Sequence, residues 1–305
     1  ALARRRWPTP ANDPPRTPAP DLPAWPPGTD TVRLQWSTAH DTRCPPAGHL
    51  AARDEHVIDA EPHVPSTGDA PPGDLVSPTL SLWRGPIDND GFKLMPDLAR
   101  RLRVGGQALA AWQDAGVDRT AAEQLVDHTV TVEHDETGTT YRHAVVVPPE
   151  LADLPRVGVA FDLPVGFDRS RWFGRGPGEN YPDRNRGTML GVWAGGIDPL
   201  PYLVPQEYGL RTDCRWFEIA DSSTGRVVRI ESVGAPLNVS AVGYGADELY
   251  DGASAFDLAP PERVVVHVDA AHRGLGTASC GPDVLDEYRL PAGRFEFAYR
   301  VSLRG

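Results

Sequence analysis

Cysteine is scarce in this sequence, and what there is does not pair. Cys44, Cys214 and Cys280 are widely spaced, odd in number and free of any CxxC. A thiolate zinc site and a disulfide framework are therefore not expected, and a reducing cytoplasm is the simplest setting. Residues 1–25 hold no apolar h-region and no run of 18 apolar residues occurs, which leaves no secretory signal and no membrane-spanning helix to expect. GxGxxG and GK[ST] are missing, so phosphate-cradle readings fail on the residues. Positive charge is also short. Thirty Lys and Arg against 42 Asp and Glu give a formal charge of −12, with a pI near 5.2. Such a field repels phosphate backbones and anionic lipid, so neither nucleic acid nor a membrane is an expected partner. The one basic run, Arg4 to Arg6, reads as a solvated tail. No internal repeat of fixed period occurs. The sequence begins at Ala1 rather than Met, from which we expect a fragment, a processed chain or a truncated one.

Turn formers are abundant instead. The 32 prolines and 30 glycines make a fifth of the 305 residues, above ordinary usage of about 12%. Nine of the prolines fall within residues 1–30, and residues 1–29 read as an extended or disordered lead-in. Residues 30–38 alternate Val32, Leu34 and Trp36 against Thr31, Arg33, Gln35 and Ser37, the period of a strand with one buried face. We take 30–61 as the tail of a β-sandwich whose other strands are missing, and 62–77 as a linker. From residue 78 onward the segments "LSLWRG", "QLVDHTVTVEH", "TYRHAVVVP", "RVGVAFDLPVG", "GRVVRIES", "LNVSAVGY", "RVVVHVDAA" and "RFEFAYRVSL" recur between Gly, Pro, Asn and Asp. Short strands at this spacing predict an all-β, antiparallel β-sandwich over 78–305. One helix is expected in "GQALAAWQDAG", with Leu109, Trp112 and Gln113 on one face, Trp112 as anchor and Gly116 at an αL C-cap.

Several constellations could carry chemistry. Asp88, Asn89 and Asp90 offer three oxygen side chains for a hard cation, but the D-x-[DN]-x-[DN]-G spacing is absent, and Pro86 with Gly91 signals a turn. In "GRGPGENYPDRNRG", Glu179 and Asp183 could be a general acid and base. The plainer reading is a turn, stiffened by Pro177 and Pro182, whose carboxylates pair with Arg184 or Arg186. His267, Asp269 and His272 suggest a metal, and His272 with Ser279 and Cys280 a nucleophile and base. Nothing there lowers a thiol pKa, and "GLGTASCG" reads better as a loop whose backbone approaches something closely. Trp83, Trp112, Trp172, Trp193 and Trp216, with Tyr181 and Tyr202, offer faces for a sugar, though core packing is the commoner use.

The segments "LWRGPIDNDG", "ALAAWQDAG", "LADLPRVGV", "WFGRGPGENYPDRNRG", "LPYLVPQEYGLRTDCRW" and "DAAHRGLGTASCGPD", in that order, resemble the C-terminal domain, or small chain, of the LacZ-like β-galactosidases of glycoside hydrolase family two. "LQWSTAHDTRCPPAGH" is similar to the end of the immunoglobulin-like domain that precedes it there. The resemblance implies a galactose-mutarotase-like supersandwich behind a remnant of an immunoglobulin-like domain. It implies no catalytic residues in this chain, since the family's catalytic glutamates and magnesium ligands belong to a (β/α)8 barrel whose pattern is not found here. Magnesium, with sodium as a further candidate, then belongs to a barrel-bearing partner, while this chain holds no metal or other cofactor. The expected partners are that large chain and a β-galactoside sugar, in an oligomeric assembly. His272, Ser279, Cys280 and Gly281 fall in the loop to Pro282 that walls the aglycone subsite. Some members place a tryptophan there and this sequence does not. Asp88, Asn89, Asp90, Glu179, Asn180, Tyr181, Asp183, Arg184 and Glu207 are expected to hold motif loops. Two stretches are shorter than in the family, before "WRGPIDND" and before "ELADLPRVGV", and a dropped strand would leave an unpaired edge. Two other readings stay open, a non-catalytic carbohydrate-binding module and a stand-alone aldose 1-epimerase. The epimerase would need Glu179 or Glu207 and His272 about one sugar ring apart.

Overall fold

The computed structural model describes residues 31–37, 50–57, 70–93, 95, 101–102, 108–276 and 283–305. The lead-in, Cys44, Ser279, Cys280 and Gly281 lie outside them. The chain divides into two compact units, Ala1–Glu61 and Pro62–Gly305. In the first, β1 (Thr31–Ser37) and β2 (Leu50–Val57) pair antiparallel.

The second unit holds two antiparallel sheets, assembled from alternating and β-branched segments. Seven strands run in the spatial order β4 (Asp127–Asp135), β5 (Gly138–Val147), β14 (Gly293–Arg304), β11 (Val227–Ser232), β10 (Trp216–Asp221), β7 (Phe167–Gly176) and β8 (Met189–Gly196). Five run in the order β3 (Thr79–Ser81), β6 (Arg156–Pro164), β13 (Arg263–His272), β12 (Leu237–Val242) and β9 (Arg211–Cys214). The main core joins side chains of both sheets, with Val145, Ile219, Val228 and Val301 from the larger and Val157, Val159, Val266 and Val268 from the smaller, all fully buried.

The predicted β-sandwich is what forms, and all eight segments picked out as alternating or β-branched runs contribute strands. Four further strands, β7 to β10, were not anticipated. β7 includes Gly174–Gly176, the opening of the glycine-rich stretch read as a loop. Its glycines answer to close approach, because a Cβ on Gly174 would lie 2.8 Å from Cys214 Sγ and one on Gly176 2.5 Å from the Trp193 ring. The helix Ala108–Asp114 buries Leu109 and Trp112 and ends toward Gly116 at φ +76°, a conformation glycine adopts without strain. Trp112 Nε1 donates to the Asp153 carbonyl at 2.7 Å, and its ring meets Trp83 edge-on at 6.1 Å. Among the fully described helices two shorter ones, Asp88–Gly91 and Ala246–Asp251, add to the one expected. Lys93, the only lysine of the chain, donates to the carbonyls of Leu249 and Gly252 and so satisfies the C-terminal end of the second of them. The segment read as linker already belongs to the sandwich at its end, since Ala70 bridges to Leu303 and Val76 is buried. None of the described helices is long and apolar enough to cross a membrane.

Candidate functional site

Four connecting segments that carry the sequence motifs meet at one end of the sandwich: 83–92, 176–188, 203–210 and 272–276. An apolar plug joins them, made of Ile87, Tyr181, Leu210 and Leu275, one residue from each. Backbone groups tie the same segments together. Glu207 N donates to Gly85 O at 3.0 Å and Asn180 N to Leu210 O at 2.8 Å.

Two buried ionic clusters lie beside the plug. In the first, Arg84, Asp90 and Arg273 are each fully buried. Arg84 Nη2 reaches Asp90 at 2.8 Å, and Arg273 Nη1 reaches the same carboxylate at 3.1 Å. Arg273 also meets Asp153 through Nε at 2.7 Å and Asp283 through Nη2 at 2.6 Å. Arg84 returns to the main chain of the last segment, donating to the carbonyls of Arg273 at 2.9 Å and Gly274 at 3.2 Å. Burial opposes the charge of Arg273, yet the carboxylates of Asp153, Asp90 and Asp283 raise its pKa above the ordinary value. A guanidinium serves here because its fork contacts several oxygens in fixed directions.

The second cluster runs through Glu207, Arg156, Asp269 and His272, all at least 95% buried. Arg156 Nη2 lies 3.2 Å from Glu207 and 3.4 Å from Asp269. His272 Nδ1 donates to the Arg273 carbonyl at 2.7 Å, and its Nε2 stands 3.5 Å from Glu207. Against the cost of burial, Arg156 and His272 hold the Glu207 carboxyl down at about 2. Burial pushes Asp269 up to about 7 and His272 down to about 4. Burial also lowers His267, whose Nδ1 meets Ser240 Oγ at 3.3 Å.

The predicted residues occupy the following places. Asp90 is committed to Arg84 and Arg273, and it caps its own helix by accepting from Ile87 N at 3.1 Å. Asn89 donates to the Leu275 carbonyl at 3.0 Å, and Asp88 opens that helix. Glu179 accepts from Gly209 N at 2.7 Å and from the Tyr202 hydroxyl at 3.4 Å. Asp183 accepts from Gly276 N at 2.7 Å. Asn180 Oδ1 accepts from Thr212 N at 2.9 Å while its Nδ2 donates to Arg175 and Gly178 carbonyls. The arginine pairing expected for Glu179 and Asp183 is not what forms. Arg184 and Arg186 point to solvent, and the two carboxylates bond to backbone N–H groups of neighbouring segments instead. The reason is reach: a turn of six residues, Pro182–Gly187, turns its arginines outward while the segments around it present unpaired N–H groups. Glu207 and His272 are in contact and buried, so this pair is not spaced by a sugar ring. Cys214 is buried and its thiol is pushed up by that burial, which makes it inert. Among the described residues no group of His, Cys, Asp and Glu is arranged to hold a metal.

Sequence reading missed Arg84, Arg156, Arg273, Asp153 and Asp283. The available signal was an arginine inside or beside an apolar run, as in "LSLWRG" and "LPRVGV", where a charge has to be buried and therefore paired.

Fold and site together define a large β-sandwich domain whose motif segments are locked by buried ions around residues 272–276. The family model described as β-galactosidase small chain matches residues 70–303. The chain belongs to that family. It is 30% identical to a β-galactosidase of Arthrobacter sp. (strain B7) over 272 residues, 74% of this chain and 26% of the relative. It is 34% identical to β-galactosidase BgaC of Bifidobacterium adolescentis over 250 residues, 72% of this chain and 22% of the relative. The aligned part thus spans about a quarter of the length of these relatives. Among solved structures, a galactose mutarotase-like protein from Lactobacillus casei shares 14% identity at a TM-score of 0.32, covering 61% of this chain and 67% of that one. A value that low adds nothing to the strand order above.

Proposed function

We propose that this chain is the small-chain part of a β-galactosidase of glycoside hydrolase family two, working with a barrel-bearing chain on terminal β-D-galactosides. The observation that carries this reading is the locking of all four motif segments against residues 273–276. Glu207, at a pKa of about 2, is far too acidic for a general acid, and Asp269, though raised to about 7, is fully buried beside Arg156 and does not face solvent. The chemistry then falls to the partner, a retaining glycosidase that supplies the acid and nucleophile and the magnesium, with sodium as a further candidate. This chain holds the aglycone wall of the cleft and supports an oligomeric assembly in the cytoplasm. On this reading residues 30–61 are the remnant of the immunoglobulin-like domain that precedes the small-chain part.

The test is reconstitution. The purified chain is mixed with a barrel-bearing β-galactosidase chain that lacks this region, and hydrolysis of a chromogenic galactoside is followed. Activity that appears only on mixing is expected. Hydrolysis by this chain alone would defeat the reading. Faster mutarotation of α-D-galactose by the chain alone would point to an epimerase, and galactoside binding without any partner dependence to a binding module.

A further inference from the structure

β4 is the outermost strand of the seven-stranded sheet, and among the described residues only β5 pairs with it. It is nine residues long and its register with β5 is unbroken from Asp127↔Val146 to Asp135↔Gly138. Proteins usually blunt such an edge with charged side chains, Pro, a bulge or a very short strand. β4 carries Asp127, Glu133 and Asp135 towards its ends, but it has no Pro and no bulge, and its middle, His128 to Thr131, is uncharged at neutral pH. The edge strand β3 of the five-stranded sheet, by contrast, is three residues long.

The strand is also nearly symmetric. It reads Asp-His-Thr-Val-Thr-Val-Glu-His-Asp, which about Thr131 matches His with His, Val with Val and Asp with Asp. The two-residue turn at Glu136 and Thr137 closes on Asp135 and Gly138, so the odd-numbered residues of β4 bond to β5. The N–H and C=O groups of His128, Val130, Val132 and His134 then face outward. Val130 and Val132 are 49% and 41% exposed, and they pair with His143 and Tyr141 in β5, so they lie on the same sheet face as those buried rings.

We propose that the free edge of β4 pairs antiparallel with the same edge of a second copy of this chain, about a two-fold axis through Thr131. In that register the outward groups of Val130 meet those of Val132 of the second copy, and His128 meets His134. Every outward N–H finds a C=O, and the exposed valines cover one another. Charge opposes this pairing at its two ends, where Asp135 would stand opposite Asp127 of the second copy. Arg300, bonded to Asp135 at 2.5 Å, offsets part of that repulsion, and Glu133 already lies 3.9 Å from Arg142. The interface does not depend on the β-galactosidase reading, because it uses the edge at the other side of the sheet from β7 and β8.

The full chain is followed by sedimentation velocity over a range of concentrations, with a monomer–dimer equilibrium expected. Val130→Pro removes one outward N–H from each copy and leaves the β4–β5 bonds intact. It is expected to weaken dimerisation on the order of tenfold or more without altering thermal unfolding of the monomer. A second variant does not depend on the proline fold. In a Cys44→Ser, Cys280→Ser background, Thr131→Cys stands at the axis in a non-hydrogen-bonded pair, where Cα atoms approach to about 4.5 Å. Mild oxidation is expected to link Thr131→Cys copies and not Thr129→Cys copies, whose position faces Glu133. A monomer at all concentrations would overturn the proposal. So would a dimer indifferent to Val130→Pro, equal cross-linking at residue 129, or slow amide exchange at Val130 and Val132 in a monomer, which would mean that another segment of the same chain covers the edge.

Discussion

Replacing Arg273 by Met tests whether the buried ions really lock the motif segments. Arg273 serves Asp90, which is fully buried, and Asp153 and Asp283, whose side chains are each 24% exposed. Met keeps most of the stem that packs beside Trp112, over which the guanidinium sits at 5.6 Å, so the change is mainly one of charge and hydrogen bonds. The two outer carboxylates recover some hydration, and Arg289 still stands 3.1 Å from Asp283. Asp90 cannot reach water and keeps only one guanidinium, that of Arg84, beside the N–H of Ile87. Removing one partner of a buried pair costs roughly 3–5 kcal/mol, against roughly 0–1 kcal/mol for an exposed one. Arg273→Met should therefore lower unfolding stability by about 3–5 kcal/mol. Arg289→Met, at a side chain 40% exposed, should lower it by less than about 1 kcal/mol. Urea unfolding of both variants with an unchanged m-value is the measurement, and near the transition each kcal/mol moves Tm by about 2–4 °C. A double-mutant cycle with Asp90→Asn should show coupling on the order of 1–3 kcal/mol. If Arg273→Met costs no more than Arg289→Met, the cluster does not lock these segments.

Glu179→Gln keeps an acceptor oxygen for Gly209 N but loses the charge, so it should cost about 1 kcal/mol of stability and weaken assembly with the barrel chain more than turnover. An assembled variant that is intact yet has lost nearly all kcat would refute that. Burial, helped by His128, holds the His143 pKa down at about 4. An unfolded histidine titrates near about 6.5, so the stability from neutral His143 is present above that pH and lost as pH falls toward 4. His143→Phe should make urea midpoints less sensitive to acid between those two values, and an unchanged pH profile would refute the assignment. Gly158→Ala should destabilise by about 1–3 kcal/mol, because its Cβ would lie 2.2 Å from Asp269 Oδ1; calorimetry showing wild-type Tm would mean that β6 and β13 can part at no cost.

Local pattern carried the sandwich. Alternation in "RFEFAYRVSL" fixes which side chains face inward, because successive Cβ atoms of a strand point to opposite faces, whereas "RVVVHVDAA" reads as a β-branched run and is buried from Val264 to Asp269. The helix at Ala108–Asp114 was legible for the same kind of reason, with its buried Leu109 and Trp112 on one face and Gly116 at positive φ. Strands β7 to β10 were not legible, since Gly174 and Gly176 look like turn residues until the packing of Cys214 and Trp193 against them is known. The motifs also fixed the family, through "GRGPGENYPDR" and "VPQEYGLR", though not what their residues touch.

Only tertiary structure decided that Glu179 and Asp183 answer to backbone N–H groups 30 and 93 positions away. It alone joined Arg84 to the carbonyl of Arg273 across 189 positions. Periodicity reports burial, which depends on a residue's near neighbours along the chain. The partner of a buried charge depends on which distant segments the two sheets bring together, and that is set by the packing of the whole sandwich.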